Sequence, residues 1–193
     1  MRESGMSTSK ERMEEIVYAK TLLYLYPHLS KIAQAMEESM CVQARLSYRT
    51  SVGVEKLAER LLDEGEKITL LLRCERNIGL ILEKFTQEEL FVLECGFFRR
   101  KRYLQAYIGR VSIGSCRNFF RRQNRVTEKF LGELKMRKMD KPWFEKNFLS
   151  IDWVRNVYKK VMHGRIRANT SLIQRFILPH PQKLAQAYPS AHA

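Results

Sequence analysis

The sequence predicts an all-α fold: an N-terminal helical hairpin, then a helix-turn-helix, then a further C-terminal helix. Three observations predict it. Glycine (9) and proline (5) are scarce in 193 residues, so few turns are signalled. Apolar residues recur at three- and four-residue spacing over long stretches. Capping signals stand where new helices should begin.

Residues 1–9 (MRESGMSTS) read as a flexible start, and Ser9 as the cap of a helix beginning at Lys10. Ile16, Ala19, Leu22, Leu23 and Tyr26 form its apolar face. Pro27 starts or kinks the next segment, where Leu29, Ile32, Ala33 and Met36 continue the stripe. Leu46 to Gly53 is a loop rich in Ser, Thr and Gly. Leu57, Leu61, Ile68, Leu71, Leu72, Ile78 and Leu82 then sustain a helical stripe as far as Phe85, with Gly65 and Gly79 as candidate breaks. The first segment supplies the partner for this long amphipathic helix, so residues 10–85 are expected to form a hairpin or bundle for packing or dimerisation.

Thr86-Gln87-Glu88-Glu89 has the form of a capping box. Leu90, Leu93, Phe97 and Phe98 follow as an apolar face, and then four successive cations, Arg99, Arg100, Lys101 and Arg102. A short apolar segment (Tyr103, Leu104, Tyr107, Ile108) and a turn-like Gly109 to Gly114 lead to Ser115, the expected cap of a helix from Cys116 to about Lys135. On a helical projection Cys116, Phe119, Phe120, Gln123, Val126, Phe130 and Leu134 take one side. Arg117, Asn118, Arg121, Arg122 and Arg125 take the other. Residues 86–138 thus read as a helix-turn-helix DNA-binding region.

Asp140 is the expected cap of a packing helix over 139–164, with Pro142 in its first turn and Gly164 as its stop. Trp143 and Trp153 belong to its apolar payload, and core packing is the expected role of both. Residues 165–193 read as a basic tail.

Charge separates the halves. Residues 1–98 carry a net −3, residues 99–146 a net +11 and residues 147–193 a net +6, within an overall +14. Such a basic block suits a polyanion, with nucleic acid first and an anionic membrane surface second. Arginine can pair bidentately with guanine, and asparagine with adenine, while further cations hold phosphates. The expected DNA-binding residues are therefore Arg99, Arg100, Lys101, Arg102, Arg117, Asn118, Arg121, Arg122 and Arg125. The bland alternative is a solvated basic helix face, but acids do not interleave with its cations before Glu128.

The stretch Phe85-Thr86-Gln87-Glu88-Glu89-Leu90 through Gly96-Phe97-Phe98, with Ser115 to Arg125 and on to Glu128-Lys129-Phe130, resembles the region-four helix-turn-helix of bacterial sigma factors. It is similar also to the small sigma-like regulators of Firmicutes and their phages. The resemblance covers about residues 84–135. It implies a transcriptional regulator that binds double-stranded DNA and works beside RNA polymerase or another transcription protein. The middle of the motif, Tyr103 to Gly109, lacks the usual Ile-Ala pair and Leu-Gly turn. A segment matching the promoter-melting region is also missing, which favours a regulator or sigma-like fragment over a full sigma factor.

Catalysis is not expected. Phosphate-loop, dinucleotide, zinc-protease and serine-hydrolase motifs are missing from the sequence. Glu128, Glu133, Asp140, Glu145 and Asp152 stand at no metal-ligand spacing, and Tyr103, Tyr107 and Tyr158 lack the Arg/His set a recombinase needs. No cofactor or metal is expected. Cys41, Cys74, Cys95 and Cys116 stand apart from one another and from histidine, as reduced cytoplasmic thiols would. No apolar run is long enough to span a bilayer, and the first residues lack a signal-peptide core. The main alternative is a non-enzymatic helical adaptor whose basic face binds an acidic protein. Structured RNA ranks below DNA, because the sequence shows neither a sheet nor an aromatic platform. A homodimer through the N-terminal helices and a monomer burying them internally are equally allowed.

Overall fold

The computed structural model describes residues 4–46, 53–98 and 116–164. All regular structure there is helical, without strands. In chain order the helices are α1 (Ser4–Leu25), α2 (Leu29–Leu46), α3 (Val54–Leu82), α4 (Gln87–Leu93), α5 (Cys116–Met136), α6 (Lys141–Phe148) and α7 (Asp152–Met162).

Helix α1 begins at Ser4, so the flexible start expected over residues 1–9 is helical from its fourth residue. Pro27 then divides the first segment. It lies in the short 3-10 turn Tyr26–His28, where its missing N–H and fixed φ interrupt the α-helical ladder. The two sides of this break go to different partners. Helix α2 runs beside α3 and forms the hairpin, whereas α1 packs against α5, α6 and α7. The hairpin expected between the whole first segment and residues 54–85 is thus made by α2 alone.

Helix α3 is unbroken for 29 residues and passes through Gly65 and Gly79, the expected candidate breaks, without interruption. Its inner face buries Ile68, Leu71, Cys74, Ile78, Ile81 and Leu82. At Gly79 the Tyr26 hydroxyl lies 3.7 Å from where a Cβ would stand, an ordinary contact that leaves room for a side chain.

The core is aromatic and centred on α1. Tyr18, Leu22 and Leu25 are fully buried with Phe119, Phe130, Phe144 and Phe148. Tyr18 donates its hydroxyl hydrogen to the Met139 carbonyl at 3.3 Å, and its ring sits 5.8 Å from that of Phe144. Burial beside Glu15 and Asp140 pushes the Tyr18 phenol well above its ordinary value, so it remains a neutral donor. Residues Glu94–Phe98 wind as a π turn that places Phe97 against Tyr24 and Phe98 against Tyr26, with centroids 5.0 and 5.3 Å apart.

The single C-terminal helix expected over 139–164 is two helices. Asp140 caps α6 by accepting from the Trp143 amide at 3.0 Å, and Pro142 occupies the first turn. Gly164, at φ 62°, ends α7 in the left-handed conformation that glycine adopts without strain. Trp143 is half-buried and packs on Phe148 at 5.3 Å. Trp153 departs from its expected core role and is 37% exposed, beside Ile32 and Met36 of α2.

Candidate nucleic-acid interface

Helix α5 is anchored on three sides. Its inner face buries Phe119, Gln123, Val126, Thr127, Phe130, Leu131 and Leu134. Arg12 meets Glu128 at 3.0 Å and Glu15 meets Lys135 at 2.7 Å, tying α1 along its lower half. Lys84, just past α3, reaches Glu133 at 2.6 Å. Exposed pairs of this kind contribute little to stability individually. They do record which flank of α5 faces the body of the protein.

Helix α4 crosses the upper half. Its capping box is formed: the Glu89 amide donates to the Thr86 hydroxyl at 3.3 Å, and the Thr86 amide donates to the Glu89 carboxylate at 2.9 Å. That box leaves the acidic first turn pointing across to α5. Glu88 accepts from Arg122 at 3.1 Å, and Glu89 pairs with Lys129 at 2.7 Å. Lys129 also lies 4.5 Å over the Phe85 ring. Burial pushes the Glu89 carboxyl up, but hydrogen bonds from Lys129 and the Thr86 amide outweigh it and hold Glu89 below the usual carboxylate range. Between the helices runs a groove lined by Thr86, Glu88, Glu89, Val92, Arg122 and Arg125.

Below this groove Gln123 is buried against Gly96. A Cβ at Gly96 would stand 3.1 Å from the Gln123 Cδ, so glycine here lets the π turn sit directly on α5.

Of the expected contact residues, Arg117, Arg121 and Arg125 are exposed and form no ion pair among the described residues. Four residues apart, they lie within about 80° of one helix face. Asn118 is half-buried at the edge of the same surface. Arg122 differs from the other arginines, because its guanidinium is held by Glu88 rather than presented alone. Arg99, Arg100, Lys101 and Arg102 lie outside the described residues, as do the short segment from Tyr103 to Ile108 and the turn before Ser115.

Two features escape a reading along the chain. Phe120, expected in the core, is 37% exposed and packs edge-on to Phe119 at 5.6 Å. At 100° per residue Phe120 lies about 90° round the helix from the centre of the face that buries Phe119, Gln123, Val126 and Phe130, at its rim. Acids do face the cations of α5, but they come from Glu88 and Glu89, 34 and 40 residues away in the chain from Arg122 and Lys129. The capping box signalled where α4 begins, while nothing local signalled what its first turn would face.

Among the described residues, no group of His, Cys, Asp or Glu is arranged to hold a metal ion. No described helix is long and apolar enough to cross a membrane. No protein-family model, no curated protein and no solved structure matches the chain.

Proposed function

We propose that this protein is a non-enzymatic, sequence-specific DNA-binding transcriptional regulator of the sigma-like helix-turn-helix type, acting in the cytoplasm. The observation that carries the reading is the stripe Arg117, Arg121 and Arg125. It is exposed and free of intramolecular carboxylates among the described residues, on a helix whose opposite face is locked in the core. A rigid helix presenting guanidinium groups at one-turn spacing suits base edges and phosphates of a major groove. In this reading Asn118 lies at its edge, Arg122 is released from Glu88 on binding, and Arg99, Arg100, Lys101 and Arg102 hold phosphates. RNA polymerase or another transcription protein is the partner the sigma-like resemblance suggests.

The test is selection from a pool of random duplex DNA at two salt concentrations, comparing wild type with R117A/R121A/R125A. An enriched motif that the triple variant loses supports the reading. Binding without a motif that collapses at higher salt counts against it.

One observation favours a second reading, an adaptor that binds an acidic protein. Glu88 and Glu89 already sit on Arg122 and Lys129 as an acidic partner's carboxylates would. Competition decides between the two: duplex DNA of the selected sequence displaces an acidic protein only weakly if that protein is the true ligand.

A further inference from the structure

We infer that the outer face of α3 is an antiparallel, two-fold interface with a second copy of this chain. This inference is independent of what α5 binds.

Four large apolar side chains on α3 are exposed: Val54 (82%), Leu62 (69%), Leu72 (46%) and Leu80 (40%). At 100° per residue they fall within about 80° of one another. They face away from the buried Leu71, Cys74 and Ile78. Their spacing is symmetric. Leu62 and Leu72 lie five residues either side of position 67, and Val54 and Leu80 lie thirteen either side. A two-fold axis passing near position 67 therefore sets Leu62 against the partner's Leu72 and Val54 against the partner's Leu80.

The residues between complete a seam. Ala58, Leu62, Gly65, Thr69, Leu72 and Arg76 alternate at spacings of four and three, the repeat by which one helix lies along another. Around the same axis Gly65 meets the partner's Thr69. A Cβ at Gly65 would meet nothing within 4 Å, so the helix surface is open there, in a groove lined also by Met40, Leu62, Glu66 and Arg73.

Charge selects both the occupant and its direction. Along the flank of the seam come Glu59, Glu66 and then Arg73, all exposed and none in an ion pair among the described residues. About this axis an antiparallel second copy brings Glu59 beside the partner's Arg73, and the symmetry makes the pair twice, while Glu66 lies by the axis near its own counterpart. A parallel copy would instead set Glu59 on Glu59 and Arg73 on Arg73.

The far end of the hairpin needs such a partner. No residue from 34 to 45 or from 53 to 67 is buried, so two helices alone leave their facing stripes half in water. Pairing through α3 covers one side of this under-buried end.

Sedimentation velocity of the full, nucleic-acid-free chain over a range of concentrations tests the inference. Wild type is expected to dimerise. L62E/L72E should be a folded monomer, because both side chains point away from the core. E59R should weaken self-association about tenfold through like-charge contact with the partner's Arg73. E59R/R73E in one chain should restore it. A wild type that stays monomeric at about 100 μM, a concentration reached by even weak specific dimers, overturns the inference. So does a dimer that survives L62E/L72E, or an E59R defect that R73E does not repair.

Discussion

The Arg122 guanidinium donates to the Glu88 carboxylate at 3.1 Å, so one cation of the α5 surface is held by the acidic first turn of α4. Side-chain exposures of 38% and 61% leave this pair in contact with solvent. Its energetic value is correspondingly small, but its effect on the charge presented by α5 is direct. Glu88→Gln is expected to change stability by less than about 1 kcal/mol. In the proposed DNA-binding role the freed guanidinium should steepen the dependence of log K on log salt by roughly one unit. Urea denaturation and a salt titration of duplex binding measure the two effects separately.

The Thr86–Glu89 box should be measurable in its own right. Thr86→Ala removes the hydroxyl that satisfies the Glu89 amide and is expected to cost about 1 kcal/mol. Urea midpoints at constant m-value give this figure.

Glu89 also makes an acid-dependent contribution. Its folded-state pKa is depressed, so its stabilisation is present above the unfolded carboxylate value and is lost as pH falls through the folded one. The window lies below about pH 4.5. Glu89→Gln is therefore expected to flatten the acid limb of a Tm-against-pH profile there, with the neutral-to-alkaline limb keeping its shape. An unchanged acid limb would show that the Lys129 and Thr86 contacts do not favour the ionised form in solution.

Two phenylalanines of α5 should behave very differently. Phe130 is fully buried, and Phe130→Ala is expected to cost about 3–5 kcal/mol through lost burial and a residual cavity. Phe120 is partly exposed and Phe120→Ala should cost about 1 kcal/mol or less. Thermal unfolding of the two variants side by side checks the contrast. Similar losses would mean that Phe120 is covered in solution.

The cysteines should separate by reactivity. Cys41 is exposed, whereas Cys74 and Cys95 are buried. Burial pushes both buried thiols up, Cys95 to about 12 and Cys74 further, which suppresses the reactive thiolate at neutral pH. Peptide mapping after a brief alkylation pulse should find Cys41 labelled in the native protein and the other two only after denaturation.

The helical class, the capping box at Thr86, the cap at Asp140, the stop at Gly164 and the two-sided character of α5 were all legible along the chain. Each depends on residues within a few positions of one another, where helix periodicity and end chemistry act locally. The assignment of Phe119, Phe130 and Leu134 to the inner face of α5 followed from the same periodicity. What only the tertiary structure decided was which face met which partner. Pro27 marked a break, yet only packing sent α2 to α3 and α1 to α5 and α7. Glu88 and Glu89 announced a helix start, yet their placement over Arg122 and Lys129 required two helices to cross. Phe120 shared the apolar side of α5, but it stands at the rim of that face, and only packing decided that the buried strip stops at Phe119. Local hydrogen bonding and side-chain periodicity are written in neighbouring residues. Contacts across 34 to 127 residues arise from the docking of whole helices, which neighbouring residues do not encode.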